Sequence, residues 1–342
     1  VNVLFLVPKT TYDTKMARER FAWMRAVAEQ VAPHGVHTTG PGWPDWAAHG
    51  STVDNVTAYL HARKHNPEEQ PHVLVTYEVN DLVGCPVPVV LILQEAYNRP
   101  KTLKLLRETD PKLVVFTYPQ EMLQYAEDLA GRTVLHIPHS ADDSVFTLIE
   151  GTEPWSTHDR PIDVLIVGNM NQTIYPFRNR LARLAWRELR KRGYVVRRLP
   201  HPGYTIPPKA GYVGHEYAAL LNKAKLVVTC TSRYRYALCK LAEIPLCGAL
   251  PVSDLPFDRQ KFFAQTMLPV EAWMLDREIR QAMEDLLDEP EELARRVRIA
   301  RDKIEARLLL KFWAERFIYH CRRFLGEVDM AAPTPLVGDE DT

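Results

Sequence analysis

Residues 226–256 read LVVTCTSRYRYALCKLAEIPLCGALPVSDLP. A short apolar run gives way to a polar loop, a helical stretch, a Cys-Gly turn and a second apolar run. Strand, loop, helix, turn and strand in that order make half of a parallel α/β sheet, because parallel strands need a crossover between them. In such sheets ligands sit just beyond the carboxyl ends of the strands. The polar residues of this segment fall at that end.

The same alternation runs through most of the chain. Strands are expected at 3–7, 36–38, 73–77, 87–93, 113–117 and 133–137, and helices at 15–31, 53–62, 100–107 and 119–129. On helix 15–31, Phe21, Met24, Val27, Ala28 and Val31 form an apolar stripe. The loop PKTTYDTK follows the first strand. Residues 147–161 contain a glycine and two prolines without periodicity and read as a linker. The pattern then restarts, with strands at 163–167, 195–199, 226–229 and 250–252 and helices at 177–191, 212–222 and 238–244. Residues 275–307 are helical with a break at Pro290. Helix 308–324 carries the stripe Phe312, Trp313, Phe317 and Tyr319, which reads as core packing. Residues 326–342 hold two prolines and an acidic end and read as a disordered tail. The fold class is therefore α/β, with two Rossmann-like domains and parallel sheets.

Composition narrows the function. The 342 residues suit two domains rather than one core. Lys+Arg and Asp+Glu number 43 each, so the global basic field usual for a nucleic-acid protein is missing. The five cysteines are odd in number and lack CxxC spacing, which suits reduced thiols rather than disulfides or metal ligands. No apolar run reaches the roughly 20 residues of a membrane span. The opening VNVLFLV is a strand rather than a leader, so a cytoplasmic protein is expected.

Two constellations could carry chemistry. In VLIVGNMNQTIYPFR a strand runs into Gly168 and Asn169, then Tyr175-Pro176 and a helix start with Arg178 in its first turn. Glycine at a strand end admits a ligand to the backbone, and a helix N-terminus suits a phosphate. The alternative is a surface arginine in a tight turn. The loop is not GxGxxG, which argues against a dinucleotide site. In the second, Tyr236, Lys240 and Glu243 stand at i, i+4 and i+7 and are expected on one helix face. Glu243 can accept both hydroxyls of a ribose, while Lys240, Arg233 or Arg235 balances a diphosphate. The alternative is a solvated Lys240–Glu243 ion pair. Residues 178–198 hold eight arginines and one lysine, either a solvated helix face or a patch for an anionic polymer.

The segment K-L-A-E-I-P-L-C-G-A-L-P-V resembles the donor-site motif of group-1 glycosyltransferases of the GT-B fold, with Glu243 at the ribose-binding glutamate. His136-Ile137-Pro138-His139-Ser140-Ala141-Asp142 with Phe146 resembles the stretch that closes that family's N-terminal domain. The G-N…Y-P-x-R loop resembles the CgeB-like branch. Two positions depart from the family: its second glutamate is Arg235, and the glycine after I-P-x is Ser140.

The resemblance implies two Rossmann-like domains facing across a cleft. Residues 1–150 would take the acceptor and 151–305 a nucleotide-diphosphate sugar. Residues 306–325 would form a helix crossing back to the first domain. It implies transfer with retention and without a bound metal or other cofactor. If transfer inverts, Glu95 after strand 87–93, or His139 or His136, would be the base, although Glu95 can equally be a capping or surface acid. Pro8-Lys9-Thr10-Thr11 stands where the resemblance implies an acceptor-facing loop, and Glu78 is a similar but weaker candidate. The rivals are a glycosyltransferase acting on DNA bases and an α/β protein that binds nucleotide without turnover.

Overall fold

The structure is a computed structural model that describes residues 1–14, 19–31, 35–47, 49–77, 79–149, 160–203 and 212–327. Glu78, most of the expected linker and nearly all of the expected acidic tail lie outside the described residues. The chain divides into two compact units. The first holds Val1–Pro138 and returns at Leu310; the second holds His139–Leu309.

The first unit carries six parallel strands: β1 Val3–Leu6, β2 Val36–Thr39, β3 Val73–Thr76, β4 Val89–Leu93, β5 Leu113–Phe116 and β6 Thr133–His136. Their order is β2-β1-β3-β4-β5-β6. The inner strands β1, β3, β4 and β5 are buried at every position, as a sheet covered on both faces requires. The edge strands β2 and β6 are mostly half-buried or exposed.

Helices α1 Lys9–Thr14, α2 Glu19–Gln30, α3 Thr52–Ala62, α4 Arg99–Thr109 and α5 Pro119–Gln124 connect the strands. Ser51 and Asp54 close α3 with a reciprocal capping box. Three details differ from the sequence reading. PKTTYDTK is mostly helix α1 rather than loop. Helix α5 stops at Gln124, five residues short of the expected Leu129. The buried face of α2 is Trp23, Met24, Ala26 and Val27, while Ala28 is exposed.

The second unit carries five parallel strands: β7 Ile162–Ile166, β8 Val196–Arg198, β9 Ala224–Val228, β10 Leu250–Ser253 and β11 Leu268–Pro269. Their order is β11-β10-β9-β7-β8. Alternate residues of β7 and β9 face different layers. Val164, Ile166, Leu226 and Val228 pack into one cluster and Leu165 and Val227 into the other, which the first residues of the two strands, Ile162 and Ala224, also join. Helix α6 Pro176–Leu184 runs into a π-helical turn, Ala185–Leu189. It is followed by α7 Gly214–Leu221, α8 Lys240–Leu246, α9 Gln260–Ala264, α10 Asp276–Asp288 and α11 Pro290–Arg307. β11 and α9 are too short to leave a periodic pattern, and sequence reasoning did not find them.

From β7 the chain builds β8 on one side and then crosses to build β9 on the other. The reversal lies between β7 and β9, and a ligand site belongs outside the carboxyl ends of that strand pair.

Helix α12 Leu310–Phe324 packs against α2 in the first unit. Trp313 stacks on Trp23 with centroids 4.7 Å apart and rings 5° from parallel, and Phe317 stacks on Trp313 at 5.1 Å. Trp313 and Phe317 are core residues, whereas Phe312 and Tyr319 are half-buried. All five cysteines are free thiols, with Cys230, Cys247 and Cys321 buried. Replacing Trp313 with Ala removes the middle ring of this stack. We expect a loss of about 3–5 kcal/mol in the first unit, read as a lower melting temperature by circular dichroism. An unchanged melting curve would show that α12 contributes little.

Candidate functional site

Two residues beyond β7 stands Gly168, whose φ is +94°, in the left-handed region that favours glycine. A Cβ there would lie 2.7 Å from an Arg178 terminal nitrogen. Arg178 is only 2% exposed. Its guanidinium donates to the Asn169 carbonyl (2.8 Å), the Cys230 carbonyl (3.3 Å) and the Thr229 hydroxyl (3.4 Å). Tyr175 covers it with its ring centroid 4.0 Å from Cζ. Arg178 is thus the underside of the loop rather than a surface cation, and it ties the loop after β7 to the loop after β9. Asn169 accepts from the Asn171 backbone N–H, and Asn171 caps Thr173. These bonds fix the approach to α6.

The loop after β9 is stitched on both sides. The Arg233 N–H donates to the Ile174 carbonyl, the Tyr236 N–H to Thr231 and the Phe257 N–H to Arg235. Asp254, at the end of β10, accepts from the Thr231 backbone N–H (2.8 Å) and from its hydroxyl. Burial raises the Asp254 carboxyl above its usual range, and the Thr231 bonds oppose the rise. Ser232 and Arg235 both take positive φ, +66° and +55°. Two non-glycine residues in that region within one short loop is backbone strain of the kind that collects at ligand sites.

Tyr236 does not share a helix face with Lys240 and Glu243. It lies in the loop, because its N–H turns back to Thr231 and α8 begins only at Lys240. It is buried and stacks on Tyr234 with centroids 5.2 Å apart. Arg235 clamps the Leu255 carbonyl from two nitrogens (2.9 and 3.2 Å), so it holds the loop after β10 and does not stand free for a diphosphate. Arg233 is exposed, with Cζ 5.6 Å from the Tyr234 ring centroid.

Lys240 and Glu243 fall in the first turn of α8. Glu243 is 8% exposed. Burial holds its carboxyl above the usual carboxylate range, while the Lys240 ammonium and a hydrogen bond from Cys239 pull it back. The pair is therefore not the solvated ion pair of an outer helix face. The turn after α8 has the same construction as the turn after β7. Gly248 has φ +71°, and a Cβ there would lie 2.3 Å from an Arg160 nitrogen. The buried Arg160 donates to the carbonyls of Ala224 (2.8 Å), Cys247 (3.0 Å) and Leu221 (3.3 Å). Burial lowers its pKa to about 10.

Three residues at this end were not found from sequence. Asp254 is one. Tyr217 of α7 is the second. Its hydroxyl is buried without a hydrogen-bond partner among the described residues, and burial, then the Glu243 charge, raises its pKa well above the usual value. Phe146 packs edge-on against its ring at 6.0 Å. His201, just beyond β8, is the third. Burial, then the charges of Lys240 and Arg178, lower its pKa, and its Nδ1 accepts from the Gly203 N–H at 3.1 Å. A lone tyrosine in a helix and a His-Pro-Gly loop carry no spacing signal, so only the fold brings them to Glu243 and Lys240.

In the first unit, Glu95 is exposed beyond β4. Its neighbour Ala96 donates its N–H to the buried Glu121 at 2.6 Å, so the loop that carries Glu95 is held from below. His139 is half-buried at the first residue of the second unit. His136 ends β6, with Nε2 3.2 Å from the Thr117 carbonyl. Within the I-P-H-S-A-D stretch, Asp142 accepts from the Ser144 N–H and hydroxyl, and Ala141 donates to the Leu308 carbonyl. The stretch is therefore a structural turn. No group of three or more His, Cys, Asp or Glu among the described residues could hold a metal ion. No helix among them is long and apolar enough to cross a membrane.

No family model and no curated protein sequence matches this chain. Solved structures do match. Sucrose-phosphate synthase from Thermosynechococcus elongatus aligns over 96% of this chain and 100% of its own, with 14% identity and a TM-score of 0.60. Anabaena Alr3699/HepE in complex with UDP and glucose aligns over 96% and 100%, with 12% identity and a TM-score of 0.57. A putative UDP-N-acetylglucosamine 2-epimerase from Listeria monocytogenes aligns over 96% and 98%, with 11% identity and a TM-score of 0.53. At these identities the likeness is one of fold, and the chain has the GT-B fold.

The raised Glu243 carboxyl gives a stability prediction. Its pKa is above the unfolded value, so the folded protein loses stability as pH rises through the folded pKa. Near neutral pH, Glu243→Gln removes the buried charge and is expected to raise the melting temperature of the ligand-free protein by roughly 1–3 °C. The gain should shrink as the pH falls toward the ordinary carboxylate range. A lower melting temperature near neutral pH would contradict this account of the carboxylate.

Proposed function

We propose that the protein is a glycosyltransferase that moves a sugar from a nucleoside diphosphate donor to an acceptor hydroxyl. The observation that carries this reading is the buried Glu243 carboxylate, together with a buried Tyr217 hydroxyl that has no hydrogen-bond partner among the described residues and feels the Glu243 charge, at the carboxyl ends of the strands. A carboxylate taken out of water beside an unused hydroxyl costs stability unless a ligand supplies partners. A ribose diol supplies two donors to the carboxylate. Lys240 and the exposed Arg233 would face the diphosphate. Gly168 would let that group approach the backbone of Asn169. Arg178, Tyr175 and Tyr236 would hold the loops in place from beneath. The HepE structure in complex with UDP makes uridine nucleotides the first donors to examine.

In the reaction the acceptor oxygen attacks the anomeric carbon, and the bond from that carbon to the diphosphate oxygen breaks. We propose retention, with the acceptor proton passing to the leaving phosphate and no resident metal. Glu95 and His139 are the groups that would take the proton if transfer inverts. His201 is pushed toward its neutral form by burial, then by the charges of Lys240 and Arg178. A bound diphosphate offsets those charges and raises its pKa. Binding then takes up a proton, and affinity tightens as pH falls through the His201 titration range.

Thermal-shift and calorimetric titration with UDP, GDP, ADP and dTDP, their sugars, and CMP-sugars tests the reading. A shift is expected with at least one of them. Glu243→Ala should weaken binding by about 10–100-fold, the worth of charge-assisted hydrogen bonds. Absence of a shift with every nucleotide would sink the donor site, and full affinity in Glu243→Ala would remove that residue from it. Product analysis separates transfer from donor epimerisation and from binding without turnover. A DNA-base acceptor would show as label transferred to DNA.

A further inference from the structure

The whole chain is electrically neutral, yet residues 183–198 hold six arginines, one lysine and a single acid, Glu188. Much of this excess lies on the outward face of α6 and the π-helical turn. Leu181, Leu184, Ala185 and Leu189 turn inward from α6 and the π-helical turn, while Arg183, Trp186, Arg187 and Arg190 are exposed. The chain then enters β8, the edge strand of its sheet, where Arg197 and Arg198 are also exposed.

The acids nearby are already engaged. Glu284 pairs with Arg192 at 2.8 Å, Asp288 accepts from the Tyr194 hydroxyl at 2.7 Å, and Glu188 lies 3.7 Å from Lys191. Among the described residues no carboxylate pairs with Arg183, Arg187, Arg190, Arg197 or Arg198. Trp186 lies among them, 44% exposed, with the Arg190 guanidinium 4.2 Å from its ring centroid.

We propose that this face is a docking surface for an anionic phospholipid bilayer. Arginine forks match phosphate oxygens two at a time, so a face built almost wholly of arginine suits phosphodiesters. The choice of a bilayer over nucleic acid rests on shape and on Trp186. The guanidiniums sit on the outward side of a helix and on a sheet edge. A single-strand track would instead be a groove with successive stacking rings. A partly exposed tryptophan between arginines is the side chain that settles at the headgroup level, with its ring in the apolar boundary and its N–H in the wet layer. The surface is independent of the nucleotide reading and would bring a transferase to acceptors held at a membrane.

Co-sedimentation of the full chain with vesicles tests this. One set is phosphatidylcholine alone and the other adds phosphatidylglycerol. Binding is expected to the anionic vesicles only, and to be lost at high salt. Arg183→Gln, Arg187→Gln and Arg190→Gln together should weaken it roughly 100-fold, since each basic residue near such a surface adds about a fivefold attraction. Trp186→Ala should weaken it less and leave the salt dependence intact. Arg295→Gln, on α11, is the control and should bind as wild type. Failure of the wild type to bind anionic vesicles would overturn the proposal, as would full binding by the triple variant. Binding to a duplex or single-stranded oligonucleotide without vesicle binding would reassign the face to nucleic acid.

Discussion

The candidate site depends on a guanidinium buried beneath a glycine and held by carbonyl and hydroxyl oxygens. Arg178 joins the loop after β7 to the end of β9, and Gly168 is the only residue type that leaves room for it. Arg160 repeats the arrangement under Gly248 and binds the turn after α8 to β9 and α7. Neither arginine has a carboxylate partner among the described residues. Each is a desolvated positive charge held by oxygen dipoles, with the Tyr175 ring added over Arg178, an expensive arrangement unless it fixes geometry. Arg178 fixes the carboxyl end of the sheet at the point where strand order reverses, and Arg160 fixes the opposite end, where β9 and β10 begin.

Electrostatics follows from that placement. Burial, then the Lys240 ammonium and the Arg178 guanidinium, push His201 toward its neutral form. Against that background Glu243 is the buried acid of α8. Its charge reaches Tyr217, and its own carboxyl is driven up by burial. In the proposed reading, the cations on one side would meet the phosphates and the desolvated Glu243 carboxylate on the other would meet the ribose of a nucleoside diphosphate. Asp254, which pins Thr231, keeps the strained loop between them from relaxing.

Much of the architecture was legible because parallel strands buried on both faces leave continuous apolar runs. Leu4, Leu74, Leu91 and Val114 sit in such runs, and each proved to be a strand interior. The Gly168 and Gly248 turns were legible as turns, but the arginines beneath them were not. Nothing in sequence spacing distinguishes a buried Arg160 or Arg178 from a surface one. The i, i+4, i+7 spacing of Tyr236, Lys240 and Glu243 misled because the strained Ser232–Arg235 turn delays the helix until Lys240. On α2 the expected stripe missed Trp23, whose burial is decided by Trp313 at the far end of the chain. Tyr217 and His201 were invisible for the same reason: their neighbours are distant in sequence.

Hydrogen exchange read by mass spectrometry, with and without UDP or whichever nucleotide gives the thermal shift, tests the central claim most directly. The account predicts slower exchange in three peptides of the second unit. These cover residues 168–178, the loop beyond β8 around His201, and residues 230–243. Protection confined to the first unit, or to the outer face of α6 and β8, would contradict it.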